Sequence, residues 1–316
     1  MLENDLIRLL TQQCRVLPPV RVGIGDDGAV LQPSGSEPVV VVTDMLLDGV
    51  HFRLDEVSAE LAGRKAIAVN LSDLAAMGCR PTAAFVSLAV PRSSAADPDQ
   101  ASMFLRRLYS GISDLADEYQ FTIAGGDTNS WDGPFAVNVC LTGTPFVTSA
   151  QGGSLLLRSG ARPGDRLLVT GALGGSLASG RHLTFIPRLE MSEWLVRHFD
   201  IHAMMDVSDG LSMDLPRMLA ASNTGAVLES NRIPIHPDVD VTLSDSKRLS
   251  AAMGDGEDFE LLFAVDGQTA QAIASREDCP VSVSDIGMVT AEAEFTLRGP
   301  DGQLVSVATA GYEHRL

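Results

Sequence analysis

The sequence is poor in basic residues and above all in lysine. Its 316 residues include 23 lysines and arginines against 41 aspartates and glutamates, which gives a formal net charge of −18. Nucleic acids and anionic membranes are recognised through basic surfaces, so we expect neither as a partner. The only lysines are Lys65 and Lys247, and neither stands in the Gly-x-x-x-x-Gly-Lys-Ser/Thr pattern of a P-loop. A lysine-based phosphate cradle of that kind is therefore excluded.

Long apolar segments are also missing. The apolar run at 39–42 is far too short to cross a bilayer. Glu3, Asp5 and Arg8 stand where a signal peptide would carry apolar residues. We therefore expect a cytoplasmic protein without a membrane partner.

Clustered cysteines and the usual nucleophile motifs are absent as well. The four cysteines have neither the short spacing of a metal site nor the density of a disulfide scaffold, so buried thiols are the simpler interpretation. No Gly-x-Ser-x-Gly elbow is present, and the six histidines show no recognisable spacing to a serine or cysteine nucleophile. Hydrolysis by a catalytic triad is poorly supported. The cysteines are Cys14, Cys79, Cys140 and Cys279.

The length and the patterning indicate two domains. A chain of 316 residues with 45% hydrophobic residues is long for one core and can fill two. Strand and helix patterns alternate in both halves, and residues 149–164 between them are rich in glycine, serine and small residues. We therefore expect domains over residues 1–148 and 149–316. No short-period repeat is evident, which argues against a solenoid.

Periodicity and turn residues predict the individual elements. In the first half they predict helices over 5–14, 58–78 and 98–119, strands over 38–44, 82–90, 121–124 and 135–143, and a glycine-punctuated loop at 23–28. In the second half they predict strands over 166–170, 203–207, 225–229 and 259–265, helices over 191–199, 211–221 and 268–276, and strands from 281 onward.

Carboxylates stand at the ends of several of these elements. The aspartates in question are Asp26, Asp27, Asp44, Asp127, Asp206 and Asp209, and Asp73 adds one on a helix. Taken singly, each fits an ordinary turn or helix cap, and Asp209 could cap the helix that begins at 211. Taken together, they suit magnesium, because hard oxygen ligands occur here without clustered His or Cys. Phosphoryl transfer at such a site would depend on metal ions with arginine as a helper.

Eight motifs spread over the whole chain resemble the thiamine-monophosphate kinase family. They are GIGDD at 23–27, TD at 43–44, HF at 51–52, AIAVNLSDLAAMG at 66–78, GGDT at 125–128, DVSDGL at 206–211, GDGEDFE at 254–260 and GY at 311–312. The AVNLSDLAAMG, GGDT and DVSDGL segments are much more specific than a lone glycine loop.

The resemblance implies a fold and an activity. The fold would be α+β, with two α/β-sandwich domains of the type shared by aminoimidazole ribonucleotide synthetase, selenophosphate synthetase and a hydrogenase maturation protein. The N-terminal domain would bind metal and ATP and form a homodimer, and the C-terminal domain would close over the active site. The activity would be ATP-dependent phosphorylation of thiamine monophosphate to thiamine diphosphate by direct in-line transfer, with several Mg²⁺ ions.

The resemblance also assigns roles to individual residues. The magnesium ligands would be Asp27, Thr43, Asp44, Asp73, Asp127, Asp206 and Asp209, of which Asp44, Asp127 and Asp206 are the catalytic candidates. ATP would contact Gly126, Tyr109, Arg158 and Ser208. The acceptor substrate would contact His51, Glu257 and Tyr312, since an aromatic ring can stack on a heterocycle and a carboxylate can compensate a cation.

The sequence departs from the family pattern at two places. Val42 replaces a hydroxyl residue, so any metal ligand there must be its backbone carbonyl. The stretch at 171–187 is shorter than usual, which leaves the local architecture of the second domain open.

Two alternatives remain at this point. One is another enzyme of the same fold, but Cys14 lies inside a predicted helix rather than in the glycine-rich loop of a selenophosphate synthetase. The chain also ends Glu-His-Arg-Leu rather than in the cysteine of the hydrogenase maturation protein. The other is a non-catalytic nucleotide-binding regulator, which would have little need for so many metal ligands.

Overall fold

The computed structural model describes residues 7, 11, 16–34, 36–95, 98–308 and 310–312. Most of the helix predicted over 5–14, with Cys14, lies outside these residues. The strands are β1 Val20–Val22, β2 Ala29–Leu31, β3 Val39–Leu47, β4 Cys79–Pro91, β5 Thr122–Trp131, β6 Ala136–Pro145, β7 Arg166–Thr170, β8 Ala203–Val207, β9 Gly225–Glu229, β10 Glu260–Val265, β11 Val283–Thr290, β12 Phe295–Arg298 and β13 Leu304–Ser306.

The helices are α1 Ala59–Ala76, α2 Arg92–Ala95, α3 Pro98–Glu118, α4 Ser176–Ser179, α5 Leu189–His198, α6 Leu211–Ser222, α7 Asp245–Gly254 and α8 Gly267–Ala274. Short 3₁₀ turns occupy Ser149–Gln151, Arg181–Leu183 and Ser230–Arg232. Most of the predicted elements are present with ends that differ by a few residues, whereas the short elements β1, β2, α2 and α4 and the longer helix α7 were not predicted. In the part of the chain that the structure describes, no helix is long and apolar enough to span a membrane.

The first sheet has six strands in the order β1-β2-β3-β6-β4-β5. Its neighbouring strands are antiparallel except β4 and β5, which run parallel because helix α3 forms the crossover between them. The expectation that the strand beginning at 121 ends at 124, with Asp127 in the following turn, is wrong. Strand β5 continues through Asp127 to Trp131, because it stays paired with β4 as far as Pro91.

Helix α1 lies between the two sheets. Its sequence predicted one apolar face, but the helix is buried nearly all round, because the first sheet covers one side and β8 and β10 of the second sheet approach the other. Gly78, at φ +71°, follows its C-terminus as predicted. The neighbouring α3 comes very close at Gly63 and Gly111, where an added Cβ would collide with the carbonyl oxygens of Leu108 and Glu60.

The second sheet has seven strands in the order β13-β12-β9-β11-β7-β10-β8. Only β12 and β9 pair in parallel among these neighbours. One apolar core joins the first sheet, α1 and the near face of the second sheet, and a second core lies where α6 packs on β8 and β9. The shortened stretch at 171–187 is folded: it contains α4 and the Arg181–Leu183 turn, and Phe185 stacks on Phe259 with ring centroids 4.1 Å apart.

One face of the first sheet is left open to solvent. Met45 and Phe85 on this face have 57% and 43% of their surface exposed. The edge strand β5 is exposed along almost its whole length. An exposed edge strand of ten residues is a ready surface for pairing with another chain.

Candidate active site

A cleft of about 1360 Å³ lies where the first domain meets the second. The loop at 23–28, the end of β3, helix α1 and the loop after β8 form its walls. Eleven of the residues proposed from the sequence line it. They are Asp27, Thr43, Asp44, His51, Asp73, Arg158, Asp206, Ser208, Asp209, Glu257 and Tyr312.

Three carboxylates form a tight cluster at the floor of the cleft. Asp27 comes from the loop before β2, Asp73 from α1 and Asp206 from the end of β8, and one oxygen of each lies within 4.8 Å of the others. These residues are separated by up to 179 positions in the sequence, as their numbers show. Only the packing of α1 against both sheets brings them together.

The cluster is electrostatically unfavourable without a cation. Burial, and then the carboxylates of Asp44, Asp206 and Asp27, raise the pKa of Asp73 well above its usual value. The pKa of Asp206 is also raised well above its usual value, first by burial and then by the carboxylate of Asp27. Among the residues described, Asp27 Oδ2 is buried without a hydrogen-bond partner. An oxygen-only donor set of this kind, with an orphaned carboxylate oxygen, fits a hard divalent cation such as Mg²⁺.

Arg158 lies directly beside this cluster. Its Nη2 and Nε lie 2.5 and 3.2 Å from Oδ1 of Asp27, and its backbone N–H donates to the carboxylate of Asp26 at 3.3 Å. Burial alone would lower the pKa of the guanidinium, but Asp27, Asp26 and Asp206 outweigh it and raise that pKa. Burial, and then Asp27, raise the pKa of Asp26 to about 6. The loop before β2 is thereby tied to the start of the second domain.

Asp206 is oriented by a residue of the other domain. The Ser72 hydroxyl on α1 donates to Oδ2 of Asp206 at 2.6 Å, and both side chains are buried. Hydrogen bonds of this kind fix which carboxylate oxygen is presented to a metal. Ser72 therefore supports the cluster without lining the cleft.

The loop after β8 is organised by a second buried carboxylate. Asp214 Oδ2 accepts from the backbone N–H groups of Ser208, Asp209 and Gly210 at 2.9 to 3.1 Å. Burial, and then Asp209, raise the pKa of Asp214 to about 7. Arg217 bridges Asp209 and Asp214 at 2.7 and 2.6 Å.

The simpler interpretation of Asp209 as a helix cap does not hold. The N-cap of α6 is Gly210, and no side chain of the described residues caps it. Asp209 instead lies at the wall of the cleft with its carboxylate on Arg217.

The cleft is also lined by His51, Glu257 and Tyr312. His51 Nδ1 accepts a hydrogen bond from the backbone N–H of Leu47 at 3.0 Å, so the neutral ring carries its proton on Nε2. Glu257 lies in the left-handed region at φ +58°. Burial raises the pKa of its carboxyl, and the ammonium of Lys65 opposes that shift.

Three of the proposed residues lie elsewhere. Asp127 and Gly126 are on the edge strand β5, three strand positions from β3, which corresponds to about 14 Å at the usual strand spacing. Asp127 accepts from the N–H of Thr128 at 2.9 Å and from the amide of Asn129 at 2.8 Å. Tyr109 on α3 packs against the core of the first domain, where burial raises the pKa of its hydroxyl.

Reading the sequence missed four residues that support the site. These are Lys65, Ser72, Asp214 and Arg217. Lys65 had a signal, because it is the one lysine within the mostly apolar helix α1. For Ser72, Asp214 and Arg217 we find no signal in the sequence, because their roles depend on contacts made only in the folded chain.

The two halves of the chain match two domain families. Residues 25–145 match the family described as "AIR synthase related protein, N-terminal domain", and residues 162–299 match "AIR synthase related protein, C-terminal domain". The predicted α+β fold of this two-domain type is therefore confirmed.

Curated relatives cover nearly the whole chain. A thiamine-monophosphate kinase of Rhodopirellula baltica is 41% identical over 99% of this chain and 97% of its own. That of Escherichia coli K12 is 33% identical over 93% of this chain and 92% of its own.

Solved structures agree with these relatives. A structure described as AaThiL complexed with AMPPCP and TMP has a TM-score of 0.79 at 26% identity, covering 99% of this chain and 97% of that one. A thiamine-monophosphate kinase from Stenotrophomonas maltophilia K279a has a TM-score of 0.68 at 30% identity, with coverage of 95% and 96%. The hydrogenase maturation protein HypE of E. coli, at 17% identity and a TM-score of 0.67, shares the fold.

Proposed function

The chain belongs to the thiamine-monophosphate kinase family, and from this premise we propose that it transfers the terminal phosphoryl group of ATP to thiamine monophosphate. The products are thiamine diphosphate and ADP. The observation that carries the proposal is the interdomain cleft, where a carboxylate cluster lies near three candidate contacts for the acceptor. Its volume of about 1360 Å³ exceeds the roughly 300–1,000 Å³ of a typical single-ligand pocket, so two substrates have room.

The reaction exchanges one phosphorus–oxygen bond for another. A phosphate oxygen of thiamine monophosphate attacks the γ-phosphorus of ATP, the bond from that phosphorus to the β–γ bridging oxygen breaks, and ADP leaves with the electron pair. The acceptor phosphate is itself a nucleophile, so no side chain needs to form a covalent intermediate. The task of the protein is to hold two phosphate groups in line despite their negative charge.

The carboxylates would hold Mg²⁺. When bound, the ions neutralise phosphate charge and fix the orientation of the transferring group. The cluster residues Asp27, Asp73 and Asp206 are the core of this set. Asp44, Thr43 and Asp209 also line the cleft and would supply ligands for further ions.

Arg158 and Ser208 face the nucleotide in this proposal. The Arg158 guanidinium already lies against Asp27, so a side chain with donors left over is held close to where phosphates would lie. Ser208 belongs to the loop fixed by Asp214, which keeps its position independent of the ligand.

His51, Glu257 and Tyr312 face thiamine monophosphate. The protonated Nε2 of His51 is a donor suited to a phosphate oxygen. The Glu257 carboxylate would lie near the cationic thiazolium ring, and the aromatic ring of Tyr312 could stack on the substrate.

The site is completed by a second copy of the chain. Asp127 and Gly126 lie on the exposed strand β5, away from the cluster in their own subunit, and the adjoining sheet face exposes Met45 and Phe85. Pairing of this face between two copies would cover it and place Asp127 at the partner's cleft, where it would act with Asp44 and Asp206. Tyr109 on α3 would contact the adenine.

The two domains divide these tasks. Residues 1–148 bind metal and nucleotide and form the dimer, and residues 149–316 close over the site. The acidic surface and the use of ATP support a cytoplasmic enzyme that does not bind nucleic acid or membranes. The GIGDD loop contains no cysteine, which weighs against the selenophosphate synthetase alternative.

Detection of ADP release tests the proposal. The purified protein with Mg²⁺ and ATP should release ADP in proportion to added thiamine monophosphate, and chromatography should show thiamine diphosphate. Thiamine without its phosphate is the matched control and should give no turnover. A protein that binds ATP but releases no ADP would instead be the non-catalytic regulator.

A further inference from the structure

Lys65 is a lysine buried in the middle of helix α1. Its side chain has no solvent exposure. Its Nζ lies 2.6 Å from Oε2 of Glu257 and donates to the backbone carbonyl of His51 at 2.9 Å. Burial lowers its pKa, and Glu257 opposes that shift. A lysine is almost never fully buried unless it is paired, so these contacts define its role.

The two groups that Lys65 contacts come from different domains. His51 follows strand β3 in the first domain, and Glu257 precedes strand β10 in the second. Both line the cleft. One ammonium group therefore connects two of the residues that are proposed to contact the acceptor.

The backbone of Glu257 is fixed independently of its side chain. Its N–H donates to the carbonyl of Ser208 at 2.6 Å, and its carbonyl accepts from the hydroxyl of Ser176 at 2.6 Å. Its φ of +58° is uncommon for a residue with a side chain, so the surroundings hold it there. What remains to be fixed is the direction of the carboxylate, and the ammonium of Lys65 lies against its Oε2.

We propose that Lys65 is a positioning residue for the acceptor substrate, which acts by aiming Glu257 and anchoring the His51 loop. This rests on the proposed function, in which these two residues contact thiamine monophosphate. Lys65 itself has no exposed surface and does not touch the substrate. By engaging Oε2 it leaves Oε1 of Glu257 for the cationic ring of the acceptor.

The alternative is that Lys65 only connects the two domains. Loss of such a connection would lower the stability and weaken the binding of both substrates together, because it would loosen the whole cleft. Loss of a positioning residue would weaken binding of the acceptor and leave ATP binding nearly unchanged, since within the described part of the chain Lys65 contacts Glu257 and the His51 carbonyl rather than the carboxylate cluster or Arg158.

The test compares Lys65→Met with Lys247→Met. Lys247 is the chain's other lysine and is exposed on α7, so it controls for loss of one positive charge. For Lys65→Met we expect the KM for thiamine monophosphate to rise on the order of tenfold, with the KM for ATP within about twofold of wild type. Lys247→Met should match the wild type. Equal changes in both KM values, or no change, would overturn the proposal.

A double-mutant cycle with Glu257→Gln tests the path of the effect. If Lys65 acts mainly through Glu257, Lys65→Met should raise the KM for thiamine monophosphate much less in the Glu257→Gln background than in the wild type, and the increase that remains measures the contribution of the His51 loop. Independent, multiplying effects would contradict it. The double variant also removes both charges of the buried pair, which favours folding if Lys65→Met alone is unstable.

The remaining outcomes are also decisive. A wild-type KM for thiamine monophosphate in Glu257→Gln would overturn the proposal. Failure of both Lys65→Met and the double variant to fold would assign Lys65 a purely structural role and would overturn it as well. If the wild-type protein itself releases no ADP with thiamine monophosphate, the proposed function fails. If wild type turns over and Lys65→Met is normal, only the role of Lys65 fails.

Discussion

The guanidinium of Arg158 lies against the carboxylate of Asp27, with Nη2 2.5 Å from Oδ1. The pair is nearly buried, and it places one positive charge beside the cluster that Asp27 forms with Asp73 and Asp206. Arg158 thus offsets in part the repulsion among carboxylates that a metal ion would also offset.

Arg158→Met should therefore lower the free energy of unfolding most when metal is absent. Breaking a buried ion pair by removing one partner costs roughly 3–5 kcal/mol, and we expect about 3 kcal/mol here. Saturating Mg²⁺ should shrink that loss, because it supplies positive charge to the same carboxylates. Urea unfolding with and without Mg²⁺ measures both quantities. Arg53→Met, which breaks an exposed pair with Asp55, is the control and should change stability by less than about 1 kcal/mol. A loss that Mg²⁺ leaves unchanged would contradict this account of Arg158.

Asp206→Asn should weaken Mg²⁺ binding while stabilising the metal-free protein. The substitution removes one charge from a crowded cluster, and the asparagine oxygen can still accept from Ser72. We expect at least about a tenfold increase in the Kd for Mg²⁺ by calorimetry, and a higher Tm in chelator. Activity of the wild type should disappear in excess chelator and return with Mg²⁺. Asp117→Asn on the exposed side of α3 should alter none of these values. Unchanged Mg²⁺ affinity in folded Asp206→Asn would remove Asp206 from the metal site.

Asp127→Asn should leave the fold intact but slow the reaction. Asp127 is exposed, and asparagine can still accept the N–H of Thr128. Loss of a metal ligand at the transferring phosphoryl group should reduce kcat about a hundredfold, or about 3 kcal/mol. Comparison of kcat and Tm separates this from a structural effect. A folded variant with normal kcat would reject the role of Asp127.

Mixing two inactive variants tests whether Asp127 acts in the partner's site. A dimer of one Asp127→Asn and one Asp206→Asn subunit has one intact site if Asp127 acts across the interface, and none if it acts within its own subunit. After random subunit exchange, half of the dimers are mixed, so about a quarter of wild-type activity should return. No recovery in demonstrably mixed dimers would show that Asp127 acts elsewhere.

Gly111→Ala should destabilise the first domain strongly. A Cβ at Gly111 would collide with the Glu60 carbonyl oxygen, so α1 and α3 would have to separate. We expect a loss of 1–3 kcal/mol or more, as in other overpacked cores, measured by urea unfolding. Gly267→Ala is the matched control, since open space surrounds it at the start of α8, and there alanine should be neutral or stabilising by roughly 0.4–1 kcal/mol. Equal stability of the two variants would show that the helices are not in such close contact.

No phosphorylated protein should form during turnover. The acceptor phosphate is a competent nucleophile, so direct transfer needs no enzyme-bound intermediate. Rapid quenching after mixing with γ-labelled ATP, in the absence and presence of thiamine monophosphate, checks this. A labelled protein that forms and decays at the rate of turnover would replace direct transfer with a two-step mechanism.

Much of the architecture could be predicted from local sequence alone. The run of valines at 39–42 that ends in polar residues predicts β3, and the glycine after α1 predicts the end of that helix, because these signals act over a few residues. The limits of β5 could not be predicted in this way. Gly125 and Gly126 look like a turn, but pairing with β4 carries the strand on to Trp131.

The sequence by itself determined the chemistry that this protein has available: many carboxylates, two lysines and a set of motifs that place it in a family of kinases. Only the tertiary structure decided which of these groups meet. Asp27, Asp73 and Asp206 form one cluster because α1 is packed between two sheets. Asp127 lies apart from them, on the edge strand β5 of the first sheet. The proposed role of Lys65 depends on the same packing. Lys65 and Glu257 are 192 positions apart in the sequence, so no local pattern could predict their contact.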